Sequence, residues 1–176
     1  MRRNNPESKQ PGRHRTRGLL LNLLIIVCIY FAVQWYQARP LASGNAPELR
    51  AQTTGARSFD LSDWRGQPVL VHFWAIWCRI CTLEQNSIEA LSADHRVITI
   101  AMQSGDDLAI HRYLQQQGLS FDNIADPYGE IATEWGVRGV PASFVLDGAG
   151  RIRFAEIGYS TGIGLRGKLW AAEQLH

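Results

Sequence analysis

Three cysteines, two methionines and five scattered histidines in 176 residues leave little for metal chemistry. A structural zinc site takes four Cys or His ligands, yet the chain has one Cys-X-X-Cys pair, Cys78 and Cys81, and no matching cluster. Exported Cu(I) carriers recruit further soft ligands, and Met102 is the sole methionine after the initiator. No internal repeat or low-complexity tract is present, which sets aside repeat architectures. Charge of either sign is missing from residues 18–36, GLLLNLLIIVCIYFAVQWY. The excess of positive charge sits just before that run, where Arg2, Arg3, Lys9, Arg13, Arg15 and Arg17 face only Glu7. Twelve basic and 15 acidic residues follow Tyr36, so the rest of the chain gives no reason to expect a nucleic-acid surface.

What is there begins with that apolar run. Nineteen helical residues extend about 28 Å, close to the hydrocarbon thickness of a bilayer, and Trp35 and Tyr36 suit its interface. The run is predicted to be an uncleaved transmembrane anchor; Ala42, Ser43 and Gly44 also suit a cleaved signal segment. The arginines before it keep residues 1–17 in the cytoplasm and place the remainder outside. Cys28, inside the run, reads as a small hydrophobe. Residues 37–47, QARPLASGNAP, read as a tether, which leaves 48–176 as one domain.

In that domain ELRAQTT and RSFDL read as a small hairpin, and PVLVHFWA, 68–75, as a central strand covered on both faces. Helical periodicity follows, with Ile80, Glu84 and Ile88 as one stripe and Leu83 and Leu91 beside it. VITIAM, 97–102, is a second buried strand. Asp106 and Asp107 open a helix that Gly118 can close. IATEWGV gives a short helix, SFVLD and RIRFAEI flank a D-G-A-G turn, and residues 162–175 form an amphipathic helix on Leu165, Leu169 and Ala172. The order of these elements predicts an α/β sandwich with a mixed sheet.

Cys78 and Cys81, at i and i+3 on a first helical turn, stand close enough for a small adjustment to close a disulfide. Unpaired backbone N–H groups and the helix dipole favour a thiolate at that end, and Arg79 adds positive charge. Cys78 is therefore the expected attacking sulfur and Cys81 the resolving one. A four-residue loop gains little from a structural disulfide, so redox exchange is the chemistry the spacing favours.

The stretches LSDWRGQPVLVHFWAIWCRIC, ADPYGEIATEWGV and RGVPASFVLDGAG resemble the thioredoxin superfamily, in its membrane-anchored TlpA-like branch, and are most similar to ScsD-type protein disulfide oxidoreductases. The resemblance implies a thioredoxin fold, a central mixed sheet flanked by helices, behind one N-terminal transmembrane helix. It implies Pro141 as a cis-proline facing the cysteines, with Val140 offering its backbone to an extended substrate, and Trp77 as an apolar platform beside the disulfide. Gly-Pro between the cysteines of thioredoxin is replaced by Arg79-Ile80. His72 falls where thioredoxin has a buried acid; it reads either as a base beneath Cys81 or as a core histidine bonded to backbone. Glu84 matches an acid that the branch often carries, and its place on the stripe predicts partial burial and a raised pKa. Asn86 replaces a proline that often kinks this helix, so a straighter helix is expected.

The activity so implied is disulfide exchange with protein thiols and disulfides, without metal or organic cofactor, in the periplasm from the bacterial inner membrane. A membrane redox partner would recharge the pair. Two alternatives remain open: a reductase of apocytochrome c thiols, and a Cu(I)-binding module in keeping with the copper-tolerance associations of the ScsD type.

Overall fold

A computed structural model describes residues 21–30, 33 and 41–175. The chain divides into two units, 1–36 and 37–176. In the first, residues 21–30 and 33 are helical and exposed; the rest of the predicted anchor, and the basic segment before it, lie outside the described residues. Among the described residues no helix is long and apolar enough to cross a membrane.

The second unit holds strands β1 (Gly44–Asn45), β2 (Arg50–Gln52), β3 (Ser58–Asp60), β4 (Val69–Trp74), β5 (Arg96–Met102), β6 (Asn123–Asp126), β7 (Ala142–Leu146) and β8 (Arg151–Ile157). Helices are α1 (Arg79–Ser92), α2 (Asp107–Gln117), α3 (Glu130–Glu134) and α4 (Gly162–Glu173), with a 3₁₀ turn at Leu61–Trp64. Six strands form one mixed sheet in the order β1-β8-β7-β4-β5-β6, and β2 and β3 form the expected hairpin. β4 runs parallel to β5 and antiparallel to β7. All six of its residues are buried, which is why it reads as an apolar run interrupted only by His72.

Alternation along the strands splits the core in two. Leu70, Trp74, Val97, Ala101 and Val145 meet Ile88 and Leu91 of α1, Ile110 and Leu114 of α2, and Leu165, Leu169 and Ala172 of α4. Val71, Phe73, Ile98, Ile100, Ile124, Phe144 and Leu146 meet Ala132 of α3 and Trp135 on the other side. Phe73, Trp135 and Phe144 touch pairwise there, with ring centroids 4.9 to 5.8 Å apart.

Local chemistry sets the helix ends. The Asp106 carboxylate accepts the Ala109 N–H, and Gly118, at φ 65°, closes α2 in the left-handed conformation that glycine adopts at little cost. Thr161 caps α4 through the Gly164 N–H.

Three sequence expectations change. The tether does not run to Pro47: Leu41 is buried, the Ala42 N–H donates to Trp135, and β1 pairs with β8, so the folded unit takes in residues from 41 on. β6 was not foreseen, because FDNIAD carries Asn and Asp where strand formers are expected. It is held by pairing with β5, and the Asn123 side chain accepts from Trp74 Nε1 and Thr99 Oγ1. The predicted stripe on α1 holds in part: Glu84, Ile88 and Leu91 are buried as expected, joined by Cys81 and Gln85, while Ile80 and Leu83 are exposed.

Candidate active site

The chain leaves β4 at Trp74, turns through Ala75–Trp77 and enters α1 with Cys78 as its N-cap. The turn is tied down by Ile76 N–H donating to Ser104 Oγ, Cys78 N–H to the Ala75 carbonyl, and Trp77 Nε1–H to the Gln103 carbonyl. Trp77 is thereby fixed although its ring is 58% exposed.

Cys78 and Cys81 are joined in a disulfide, with Cα atoms 5.3 Å apart. Cys78 Sγ accepts the Cys81 backbone N–H at 3.1 Å, the position an N-cap oxygen ordinarily fills. The same donor that tethers the sulfur in the disulfide is in place to solvate it as an anion, together with the helix dipole. Cys78 is 7% exposed and Cys81 1%, so the outer sulfur is the one that a substrate reaches first. Arg79 is exposed beside it.

The Val140–Pro141 bond is cis. Cys78 Sγ lies 3.7 Å from the Val140 carbonyl oxygen, and the Pro141 carbonyl accepts from Gly158 N–H. The loop before β7 thus faces the disulfide with Val140 in front and is anchored from behind. Trp77 and Ile80, apolar and exposed, flank Cys78 and Cys81 along the chain.

Behind the disulfide the interior is polar. His72, 3% exposed, points to the α1 side of β4; its Nδ1 is 3.0 Å from Ser143 Oγ and its Nε2 3.8 Å from Glu84 Oε2. Its hydrogen-bond partner is therefore the Ser143 side chain and not backbone, with the Glu84 carboxyl group nearby but beyond hydrogen-bond distance. Burial pushes its pKa down to about 4. Glu84, 1% exposed, accepts the Ser160 N–H at Oε1, while Oε2 has no hydrogen-bond partner. Its pKa is pushed up to about 7, chiefly by burial and further by the charge of Glu156, against the Ser160 N–H. Gln85, also buried, donates to the Tyr113 hydroxyl.

The structure therefore brings Cys78, Cys81, Trp77, Arg79, Val140 and Pro141 to one rim, with His72 and Glu84 below. Ser143, Ser160 and Gln103 complete it. They escape local reading because each lies far along the chain from its partner; only the pairing of His72 with Ser143 across β4 and β7 would have found one of them. Among the described residues, no three of His, Cys, Asp and Glu gather where they could hold a metal ion.

Comparison with known proteins agrees with this geometry. The AhpC/TSA family model matches residues 43–155. The thiol:disulfide interchange protein HelX of Rhodobacter capsulatus is 37% identical over 131 residues, 70% of this chain and 74% of its own. The thiol:disulfide interchange protein DsbE of Xylella fastidiosa is 35% identical over 164 residues, 84% and 81% of the two chains. A crystal structure of a thiol:disulfide interchange protein of the thioredoxin family from Chlorobium tepidum superposes with a TM-score of 0.65 at 20% identity, covering 74% of this chain and 97% of that one. On a thioredoxin-like fold with a joined Cys-X-X-Cys pair at a helix start, the chain belongs to the AhpC/TSA family, among its thiol-disulfide oxidoreductases.

Proposed function

We propose that the chain is a membrane-anchored enzyme that exchanges disulfides with exported proteins through Cys78 and Cys81. The observation that carries this reading is the asymmetry of the pair: one sulfur caps the helix at the rim beside Val140, and its partner is sealed one turn deeper. The apolar run at 18–36, with arginines before it, supports an anchor with residues 1–17 in the cytoplasm and the catalytic domain in the periplasm.

In the reducing direction the Cys78 thiolate attacks a substrate disulfide. One substrate sulfur leaves as a thiolate and a mixed disulfide forms. Cys81 then loses its proton and attacks Cys78, which frees the second substrate sulfur and leaves Cys78–Cys81 oxidised. Two electrons have passed to the substrate. The reverse order oxidises a substrate dithiol. The extended substrate segment lies against Trp77 and pairs with the Val140 backbone, in the manner of an added strand. Arg79 favours the anionic sulfur. The cysteine pair itself carries the electrons, so no cofactor is invoked, and a membrane redox protein recharges it.

The test is reduction of insulin disulfides, or reactivation of a scrambled substrate, by the full-length protein. Turnover lost in Cys78→Ser, with no tight Cu(I) binding in competition, supports the enzyme. Tight Cu(I) binding without turnover replaces it with a metal-binding module. The redox state of Cys78–Cys81 trapped directly from cells gives direction, mostly dithiol for a reductase and mostly disulfide for an oxidase.

A further inference from the structure

The rim of the disulfide carries positive charge on both of the segments that form it. Arg79 follows Cys78 at the start of α1, and Arg138 stands two residues before Val140 in the loop that ends at Pro141. Both are exposed, and among the described residues neither side chain has a hydrogen bond or an ion pair. Elsewhere on the unit Arg50, Arg57, Arg153 and Arg166 each lie against a carboxylate. The carboxylates of α3, Glu130 and Glu134, precede Arg138 closely in the chain and form no ion pair with it. A cation in the first turn of a helix works against the helix dipole, so neither arginine is placed where it stabilises the fold.

We propose that Arg138 is a specificity-determining residue that recognises an acidic side chain within two or three residues of the substrate's reacting cysteine. Segments with a carboxylate beside that cysteine are then the preferred substrates. This rests on the reading of the Val140 backbone as the place where an extended substrate pairs.

The loop holds Arg138 in a fixed place. Val137 before it is buried and its N–H donates to the Ala132 carbonyl at 2.7 Å, while the Pro141 carbonyl accepts from Gly158 N–H at 2.8 Å. Two residues span at most about 7 Å, so the Arg138 backbone stays within that distance of Val140, whose carbonyl oxygen is 3.7 Å from Cys78 Sγ. Between them Gly139 leaves open space, since a Cβ there would meet nothing within 4 Å. An extended substrate joined to Cys78 and running beside Val140 advances about 3.3 Å per residue. A side chain two or three residues from its cysteine therefore passes within reach of the long arginine side chain. The guanidinium offers a fork of donors that matches a carboxylate and keeps its charge at every pH where thiols exchange. Arg79 adds to the same positive field from α1.

The experiment measures how fast short reduced peptides with two cysteines are oxidised by the full-length protein in detergent micelles, starting from the joined Cys78–Cys81 pair. The peptides share one sequence and differ at a single place, walked from three residues before the first cysteine to three residues after it, which holds Asp, Asn or Lys. A carboxylate beside a thiol also lowers its thiolate fraction, so the Asp-to-Asn rate ratio of wild type is divided by that of Arg138→Gln with the same peptides. At one or more positions the result is expected to be about two- to fivefold and to shrink as ionic strength rises. Arg138→Lys is expected to keep part of the preference, and Arg138→Glu to turn it towards Lys. A result of one at every position overturns the proposal, and so does a preference for Asp that survives in Arg138→Glu. If wild type oxidises none of the peptides, the disulfide-exchange reading of the cysteines falls and this proposal falls with it, whereas equal oxidation of all of them removes the role of Arg138 alone.

Discussion

The two sides of the central sheet solve different problems. On the side of α3, strand residues Val71, Phe73, Ile98, Ile100 and Phe144 meet Trp135 in an aromatic and aliphatic layer. On the side of α1, the same strands present His72, Thr99, Asn123 and Ser143 among Leu70, Trp74 and Val145, and α1 adds Glu84 and Cys81. Both layers bury a full apolar core, and the α1 side in addition encloses the disulfide and its polar neighbours His72 and Glu84. Hydrophobic burial is worth about 1.5–3 kcal/mol per large side chain, so polar residues are retained in a core where they make specific bonds, as Asn123 does with Trp74 and Thr99.

The sharpest way to break this division is to remove the outer sulfur. Cys78→Ser is expected to lower insulin reduction to background with the thermal midpoint of the reduced protein nearly unchanged. Next comes the aromatic layer. Phe144→Ala is expected to cost about 3–5 kcal/mol of unfolding free energy, read by urea denaturation, while the equilibrium of Cys78–Cys81 with glutathione stays within about twofold. A larger redox change would show that the two sides are coupled.

The third effect is one of pH. Glu84 has its folded pKa raised to about 7, so its contribution is present below its ordinary value and lost as pH rises through 7. His72 has its folded pKa lowered to about 4, so its contribution is present above about 6.5 and lost as pH falls through 4. Between about 4.5 and 6.5 folding moves one proton from His72 to Glu84 without net uptake, and the two slopes cancel. His72→Asn should expose the Glu84 slope, on the order of 3 kcal/mol lost between pH 4.5 and 7, and Glu84→Gln the opposite slope on acidification. Denaturation midpoints across that range check both. The smallest effect belongs to the rim. Ile80, between the two cysteines, is 48% exposed, so Ile80→Ser should change stability by less than about 0.5 kcal/mol and raise KM for protein substrates several-fold.

Much of this was legible in the chain. The apolar run 68–75, the Asp106 cap with Gly118, and the Leu165, Leu169 and Ala172 face express local rules that tertiary packing did not override. The cysteine pair and the helix it starts were legible for the same reason, and Pro141 through the resemblance. The exposure of Ile80 and Leu83 on α1 was not. Apolar Ile80 and Leu83 lie outside, and polar Gln85 lies inside with Glu84, so along this helix polarity inverts the ordinary sorting of residues. β1 is two residues long and β6 carries Asn123 and Asp126; both exist through pairing with strands remote in sequence. His72 and Glu84 were each singled out, but their meeting depends on how α1 lies over β4, which no local pattern encodes.

The central claim is that Cys78 is the entering sulfur and Cys81 the one that resolves. Single-cysteine variants incubated with a disulfide-bonded protein and quenched with acid test it most directly. The account predicts that Cys81→Ser accumulates a mixed disulfide through Cys78, and that Cys78→Ser accumulates almost none. Equal trapping by both variants, or trapping through Cys81, would contradict it.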